Sequence, residues 1–232
     1  MNVPREIVLD TETTGFDPLT GDRLVEIGCL ELVNHVATAN SFHVYINPER
    51  DMPEAAFKVH GLSAEFLGDK PKFAEIVDKF LEFIGDAPLV IHNAEFDMKF
   101  LNAELERAGR KAMPIQRAID TVKMARQKFP GSPASLDALC KRFNIDNSAR
   151  TLHGALLDAQ LLAEVYLELM GGRQAGLVLE TEVEISAELM IARKPAADGR
   201  TIRPPRPHAP LPEELEAHIA FIAKLKNAVW LQ

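Results

Sequence analysis

The chain has 232 residues, 47% of them hydrophobic and 26% charged, a balance that supports a packed core and excludes a wholly disordered, collagen-like or coiled-coil protein. No stretch approaches the ~18 consecutive apolar residues of a membrane span, and the start Met1-Asn2-Val3-Pro4-Arg5-Glu6 carries no signal-peptide pattern, so a cytoplasmic protein away from membranes is expected. Residues 1–170 hold 18 Lys and Arg against 26 Asp and Glu, net −8, while residues 171–232 hold 8 of each; such a body has no basic surface with which to grip a polyanion.

Arg5 to Asp10 reads as a buried strand through the run Ile7-Val8-Leu9. Asp17-Pro18 and Thr20-Gly21-Asp22 are turn chemistry. Leu24 to Val33 and Phe42 to Ile46 are rich in β-branched and aromatic residues, with Asn34-His35 as a hairpin tip. Three antiparallel strands are therefore expected at the start. The period then changes. Phe73, Ile76, Val77, Phe80, Leu81 and Ile84 form one face of a helix. Pro88 to His92 is a short strand, and Ala94 to Ala108 is a helix stopped by Gly109. Ala118 to Asp120 is another short strand, Ser135 caps a helix through Phe143, and Gly154 to Met170 is the longest helix. Strands first, then strand–helix alternation, predict an α/β fold with a mixed sheet flanked by helices. Cys29 and Cys140 fall in different elements and in no Cys-x-x-Cys pair, which argues against a disulfide framework or a zinc knuckle.

Beyond Gly172 the composition shifts. Six of the fifteen prolines fall between Pro195 and Pro212 among basic residues, the signature of an extended flexible linker. Leu215, Ile219, Ile222 and Leu225 then form a short apolar stripe at helical spacing, too small to make its own core. The expected organisation is a domain over residues 1–172, a linker over 173–211 and a helical tail over 212–232. No homo-oligomer is required.

The chemistry lies in the acids. Asp10 and Glu12 are two apart at the end of the first strand, so they point the same way. Two carboxylates aimed at one spot need a proton or a cation between them, and hard oxygen donors suit Mg²⁺ or Mn²⁺. Asp158 lies just over one turn into the longest helix, beside Leu157, Leu161 and Leu162, where an acid needs a partner. His153 stands at the mouth of that helix and can take a proton near neutrality. Asp97 follows the strand at 89–91; alone, it could simply complement the dipole of its helix. Together, four acids and one His at strand ends and early helical turns are the parts of a two-metal phosphoryl site.

These residues resemble the DEDDh family of 3′→5′ exonucleases. Asp10-Thr11-Glu12-Thr13-Thr14-Gly15 is similar to its first motif, Asn93-x-x-Phe96-Asp97 to its second and His153-x-Ala155-x-x-Asp158 to its third. The resemblance implies a ribonuclease-H-like fold, two Mg²⁺ or Mn²⁺ ions held by Asp10, Glu12, Asp97 and Asp158, His153 as base, and release of nucleoside monophosphates from a 3′ end. Within the family the chain is most similar to the proofreading nucleases of bacterial replicative polymerases, through Val59-His60-Gly61, Leu89-Val90-Ile91-His92-Asn93, Ser135 to Cys140 and Thr151 to Gln160. That likeness implies a DNA 3′ end as substrate, contacted by Asp10, Thr11, Glu12, His60 and Asp158. It also implies a polymerase subunit bound through the tail. Gln174-Ala175-Gly176-Leu177-Val178-Leu179 resembles peptides that dock in a sliding clamp, with Gln174, Leu177 and Leu179 as anchors. Two other readings stay open: a DEDDh exoribonuclease that trims RNA ends or short oligoribonucleotides, and a polymerase scaffold with a vestigial site.

Overall fold

The computed structural model describes residues 4–148, 150, 152–172 and 211–223. The chain divides into two units, Met1–Leu177 and Val178–Gln232.

The first unit is built on a five-stranded sheet in the order β3-β2-β1-β4-β5. Strand β1 (Arg5–Thr13) pairs antiparallel with β2 (Leu24–Val33), which pairs antiparallel with β3 (Val36–Tyr45). On its other side β1 runs parallel to β4 (Leu89–Ile91), and β4 to β5 (Ala118–Asp120). Both faces of β1 are covered, which is why its apolar run is continuous rather than alternating. Ile7 and Leu9 pack with Phe73, Phe80 and Phe100 on one face, whereas Val8 packs with Leu139, Leu162 and Tyr166 on the other. Cys29 and Cys140 lie in these two separate clusters as buried free thiols.

The hairpin tip is as expected. Asn34 and His35 both have positive φ, 56° and 63°, the two-residue geometry whose twist matches the flanking strands. Strand β3 is longer than Phe42 to Ile46, because its polar first half is also tied to the sheet: Glu31 accepts hydrogen bonds from Thr38 and Asn40.

Eight α-helices are present among the described residues: α1 (Glu54–His60), α2 (Ala64–Gly68), α3 (Phe73–Ile84), α4 (Ala94–Arg107), α5 (Thr121–Lys128), α6 (Leu136–Phe143), α7 (Ala155–Leu169) and α8 (Pro212–Ile222). Asn93, at φ 67° and ψ 57°, makes the sharp turn from β4 into α4 and sets Asp97 in the first turn; Asn tolerates that left-handed conformation better than most residues. At the other end Gly109 (φ 66°) completes a Schellman motif, with the Arg110 amide on the Leu105 carbonyl and the Gly109 amide on that of Glu106. Ser135 caps α6 by accepting from the Ala138 amide. Helices α1 and α2 have too few turns for their apolar spacing to stand out in the sequence, and α5, Thr121–Lys128, is mostly polar.

Helix α7 lies across β1 and β2, and Gly28 is what lets it approach. A Cβ on Gly28 would sit 2.3 Å from the Ala155 backbone carbon. Gly28 is also the residue paired with Asp10, so the close approach falls beside the first acid.

In the second unit, α8 opens with Pro212 and carries Leu215, Ile219 and Phe221 exposed. Leu225 of the expected stripe, the linker from residue 173 to 210 and the clamp-like peptide Gln174 to Leu179 lie outside the described residues. Among those described, no helix is long and apolar enough to cross a membrane.

Candidate active site

The carboxyl end of β1 is where the acids meet. Even-numbered β1 residues face α7 and odd-numbered ones face α4, as the two apolar clusters require. Asp10 and Glu12 therefore turn toward Asp158 on α7. Thr11 turns the opposite way, and its hydroxyl donates to Asp97 Oδ1 at 2.7 Å. Glu12, His153 and Asp158 each present a donor atom within 4.8 Å of the other two, close enough to share one cation. Asp10 and Asp97 adjoin this trio: Asp97, Glu12 and Asp158 raise the cost of ionising Asp10, and Asp158 and Asp97 that of ionising Glu12.

The electrostatics follow from burial and crowding. Asp10 is half-buried; desolvation first, then Asp97, Glu12 and Asp158, push its carboxyl well above the usual range. Burial, with Glu26, Asp158 and Asp97 adding to it, pushes Glu12 up to about 8. Burial also raises Asp97 to about 7, although the Thr11 hydroxyl pulls in the other direction. Three acids pushed above the ordinary carboxylate range mark a place where negative charge exceeds what the surrounding protein neutralises. Carboxylate oxygens suit a hard divalent cation, such an ion would supply the missing charge, and the imidazole stands beside them as a proton acceptor.

His153 is 48% exposed, with Nδ1 3.5 Å from Asp158 Oδ2. Its backbone amide donates to the Val59 carbonyl of α1, so α1 fixes where the imidazole stands. The neighbouring His60 is buried; its Nδ1 accepts from the Leu62 amide and its Nε2 has no hydrogen-bond partner among the described residues. Burial holds its pKa below the ordinary histidine value. The hydroxyl of Thr11, a residue expected to contact the substrate, orients Asp97.

Arg150 is the residue that sequence reasoning missed. Its Nε and Nη2 donate to the two oxygens of Asp158 at 2.5 and 2.6 Å, its Nη1 to Asp137 Oδ1 at 2.9 Å, and its Nη2 reaches His153 Nδ1 at 2.9 Å. The signal was available: an acid beside an apolar helix face needs a partner, and Arg150 is the nearest Lys or Arg upstream.

The exonuclease family model of the RNase T type matches residues 7–166, a span that contains all five site residues. The chain belongs to that exonuclease family. It is 54% identical over 228 residues to the DNA polymerase III epsilon subunit of Rickettsia felis, covering 97% of this chain and 98% of the relative. It is 52% identical over 178 residues to the epsilon subunit of Escherichia coli, covering 74% and 73%. Within the exonucleases, then, it is a member of the DNA polymerase III epsilon group. Among solved structures, exonuclease X in complex with 5′-overhanging duplex DNA aligns with TM-score 0.56 at 25% identity, over 71% of this chain and 90% of that one. The nuclease domain of 3′hExo, a DEDDh family member bound to rAMP, aligns with TM-score 0.62 at 18% identity over 72% and 92%, and establishes the shared fold. The mixed sheet and its flanking helices are the ribonuclease-H-like architecture of these nucleases, and exonucleases of the DEDDh type use divalent metal ions.

Proposed function

We propose that the chain is a 3′→5′ exodeoxyribonuclease that proofreads replication as the epsilon subunit of DNA polymerase III, removing mispaired 3′-terminal nucleotides as nucleoside monophosphates. The observation that carries the reading is the convergence of Asp10, Glu12, Asp97, Asp158 and His153 at one strand end, with three of the acids resisting ionisation. Asp10, Glu12, Asp97 and Asp158 would hold two divalent cations, Mg²⁺ or Mn²⁺, which when bound would supply charge compensation for the attacked phosphate and the departing 3′ oxygen. Thr11 fixes the rotation of Asp97, and Gly28 lets α7 bring Asp158 up to β1. His153, tied by its amide to α1, accepts the proton of the attacking water as the P–O bond to the 3′ oxygen breaks. His60 meets the terminal nucleotide, a reading supported by its buried Nε2, which has no partner among the described residues.

The partners follow from charge and from the tail. A body of net −8 over residues 1–170 binds DNA weakly unaided, so useful activity depends on tethering, which raises the local concentration of the primer end. The tail over residues 212–232 binds the polymerase III alpha subunit through the exposed Leu215, Ile219 and Phe221 of α8, and residues 174–179 engage the sliding clamp. The chain alone is a cytoplasmic monomer.

The test is hydrolysis of a 3′-mispaired primer–template with and without Mg²⁺, for the parent and Asp10→Ala. The parent should release nucleoside monophosphates only with the cation, and Asp10→Ala should lose on the order of 10⁴-fold or more, the scale on which groups that act as one unit fail. Faster cleavage of a short oligoribonucleotide than of the mispaired DNA would favour the RNA-trimming reading instead.

A further inference from the structure

The guanidinium of Arg150 occupies the two groups the reaction needs free. A guanidinium only donates, so at its 2.9 Å contact His153 Nδ1 must be the acceptor. The neutral ring then carries its proton on Nε2. In that arrangement neither nitrogen can take a proton from water, since one lone pair is engaged and the other nitrogen is already protonated. The same side chain binds both oxygens of Asp158 with a two-pronged fork. Charge-assisted pairs of this geometry are among the strongest protein hydrogen bonds, and a carboxylate held on both oxygens is a poorer ligand for a cation.

Arg150 also has somewhere to pivot. Its Nη1 is held by Asp137 Oδ1 on α6, which is braced by the Asn147 side-chain amide at 3.0 Å. Asp137 is 61% exposed whereas the Arg150 side chain is 9% exposed, so the anchor lies at the rim and the fork points inward. A guanidinium that leaves Asp158 while keeping Asp137 stays beside the site. The acceptor that best replaces a carboxylate for such a fork is the pair of anionic oxygens of a phosphodiester.

We propose that Arg150 is a substrate-responsive positioning residue: it holds His153 and Asp158 in an idle pairing and passes its fork to the 3′-terminal phosphodiester, which frees His153 Nδ1 and Asp158 together. Activation of the base is thereby coupled to arrival of the strand end, and a site without a strand end is kept from misdirected hydrolysis. The inference rests on the exonuclease reading above.

The experiment uses the full chain labelled with ¹⁵N-histidine, in parent, Arg150→Gln and Arg150→Lys forms, with the His153 signals assigned through His153→Gln. Long-range ¹H–¹⁵N spectra report which ring nitrogen carries the proton. The parent should show the proton on Nε2 with Nδ1 accepting, and addition of dTMP should abolish that Nδ1 hydrogen-bond signature. Both Arg150 variants should lack it before any nucleotide is added. Electron paramagnetic resonance of bound Mn²⁺ gives a second readout. Arg150→Gln should bind Mn²⁺ about tenfold more tightly than the parent, because charge-assisted bonds to Asp158 no longer compete. Arg150→Lys, which keeps the charge but not the fork, should fall between. A purely structural support would instead lose about 10–100-fold in affinity when removed, and that result, or an unchanged His153 spectrum in folded Arg150→Gln, would overturn the proposal. Arg150→Lys carries the test should the Gln variant not fold. Failure of the parent to release nucleotides in Mg²⁺ would overturn the exonuclease reading, whatever the spectra show.

Discussion

Asp97 and Asp158 make an instructive pair. Both are buried acids on the first turns of helices, one on each side of β1. Asp97 is held by a neutral hydroxyl from Thr11; Asp158 is held by the guanidinium of Arg150. A hydroxyl fixes direction without adding charge, so Asp97 still resists ionisation up to about 7. A guanidinium fixes direction and cancels charge. The two helices thus deliver acids in different states: one oriented and in need of a cation, the other oriented and already supplied with one.

The sharpest way to break the comparison is on the Asp158 side. His153→Ala should lower kcat by about 10²–10⁴, the usual contribution of a general base, while leaving Mn²⁺ affinity nearly intact; a loss confined to KM would remove His153 from the base role. On the Asp97 side the expected effect is smaller. Thr11→Val keeps the shape but removes the hydroxyl, and the loss of an orienting partner should weaken cation binding by about 10–100-fold, read by titration with Mn²⁺. Unchanged affinity would mean that packing alone orients Asp97.

Gly28→Ala tests how the Asp158 side is positioned at all. The added methyl would lie 2.3 to 2.5 Å from the Ala155 and Leu156 backbone, so the start of α7 must move away from Asp10. Overpacking of this kind costs about 1–3 kcal/mol, which at about 2–4 °C per kcal/mol for a domain of this size is a clear drop in thermal midpoint. Turnover should fall with it, because the displaced turn carries Asp158. A variant as active and as stable as the parent would show that α7 does not depend on this glycine.

Much of this arrangement could be read from the residues. The alternation of β1 put Asp10 and Glu12 on one face, and the helical spacing around Phe96 and Leu161 put Asp97 and Asp158 one turn into their helices. Periodicity of apolar residues survives in a single sequence because it is imposed by burial. What periodicity cannot report is which polar group answers which. The Thr11–Asp97 bond spans 86 residues and joins two elements through the end of a strand, and Arg150 lies in irregular chain with no period to betray it. Helices α1 and α2, of seven and five residues, give too few turns for a repeat, and α5 is mostly polar, whereas α6, no longer than α5, was legible from its Ser135 cap and its apolar Leu136, Leu139 and Phe143. Yet α1 matters, since its Val59 carbonyl fixes the His153 backbone.

The smallest effect sharpens the electrostatic half of the comparison. Glu12 and Asp97 are raised to about 8 and about 7 from ordinary values of 4.5 and 3.8, so between those limits the folded chain binds more protons than the unfolded one. Stability from this source is complete below the unfolded values and is lost as pH rises through the folded ones. His60 and His92 act in the opposite sense. Burial holds both below the ordinary 6.5, so their contribution is present above 6.5 and is lost as pH falls below it. The window from pH 7 to 9 therefore excludes the histidines, and the buried thiols Cys29 and Cys140, also raised by burial, add a loss of the same sign only toward its upper end. Without divalent cations the thermal midpoint should rise as pH is lowered from 9 to 7, by a few degrees for about 1–2 kcal/mol. Saturating Mg²⁺ should flatten that slope, because the cation takes over the role of the protons. A midpoint that climbs from pH 7 to 9 in chelator would mean that the acids are already neutralised from within the protein, and that Arg150 compensates Asp97 as well as Asp158.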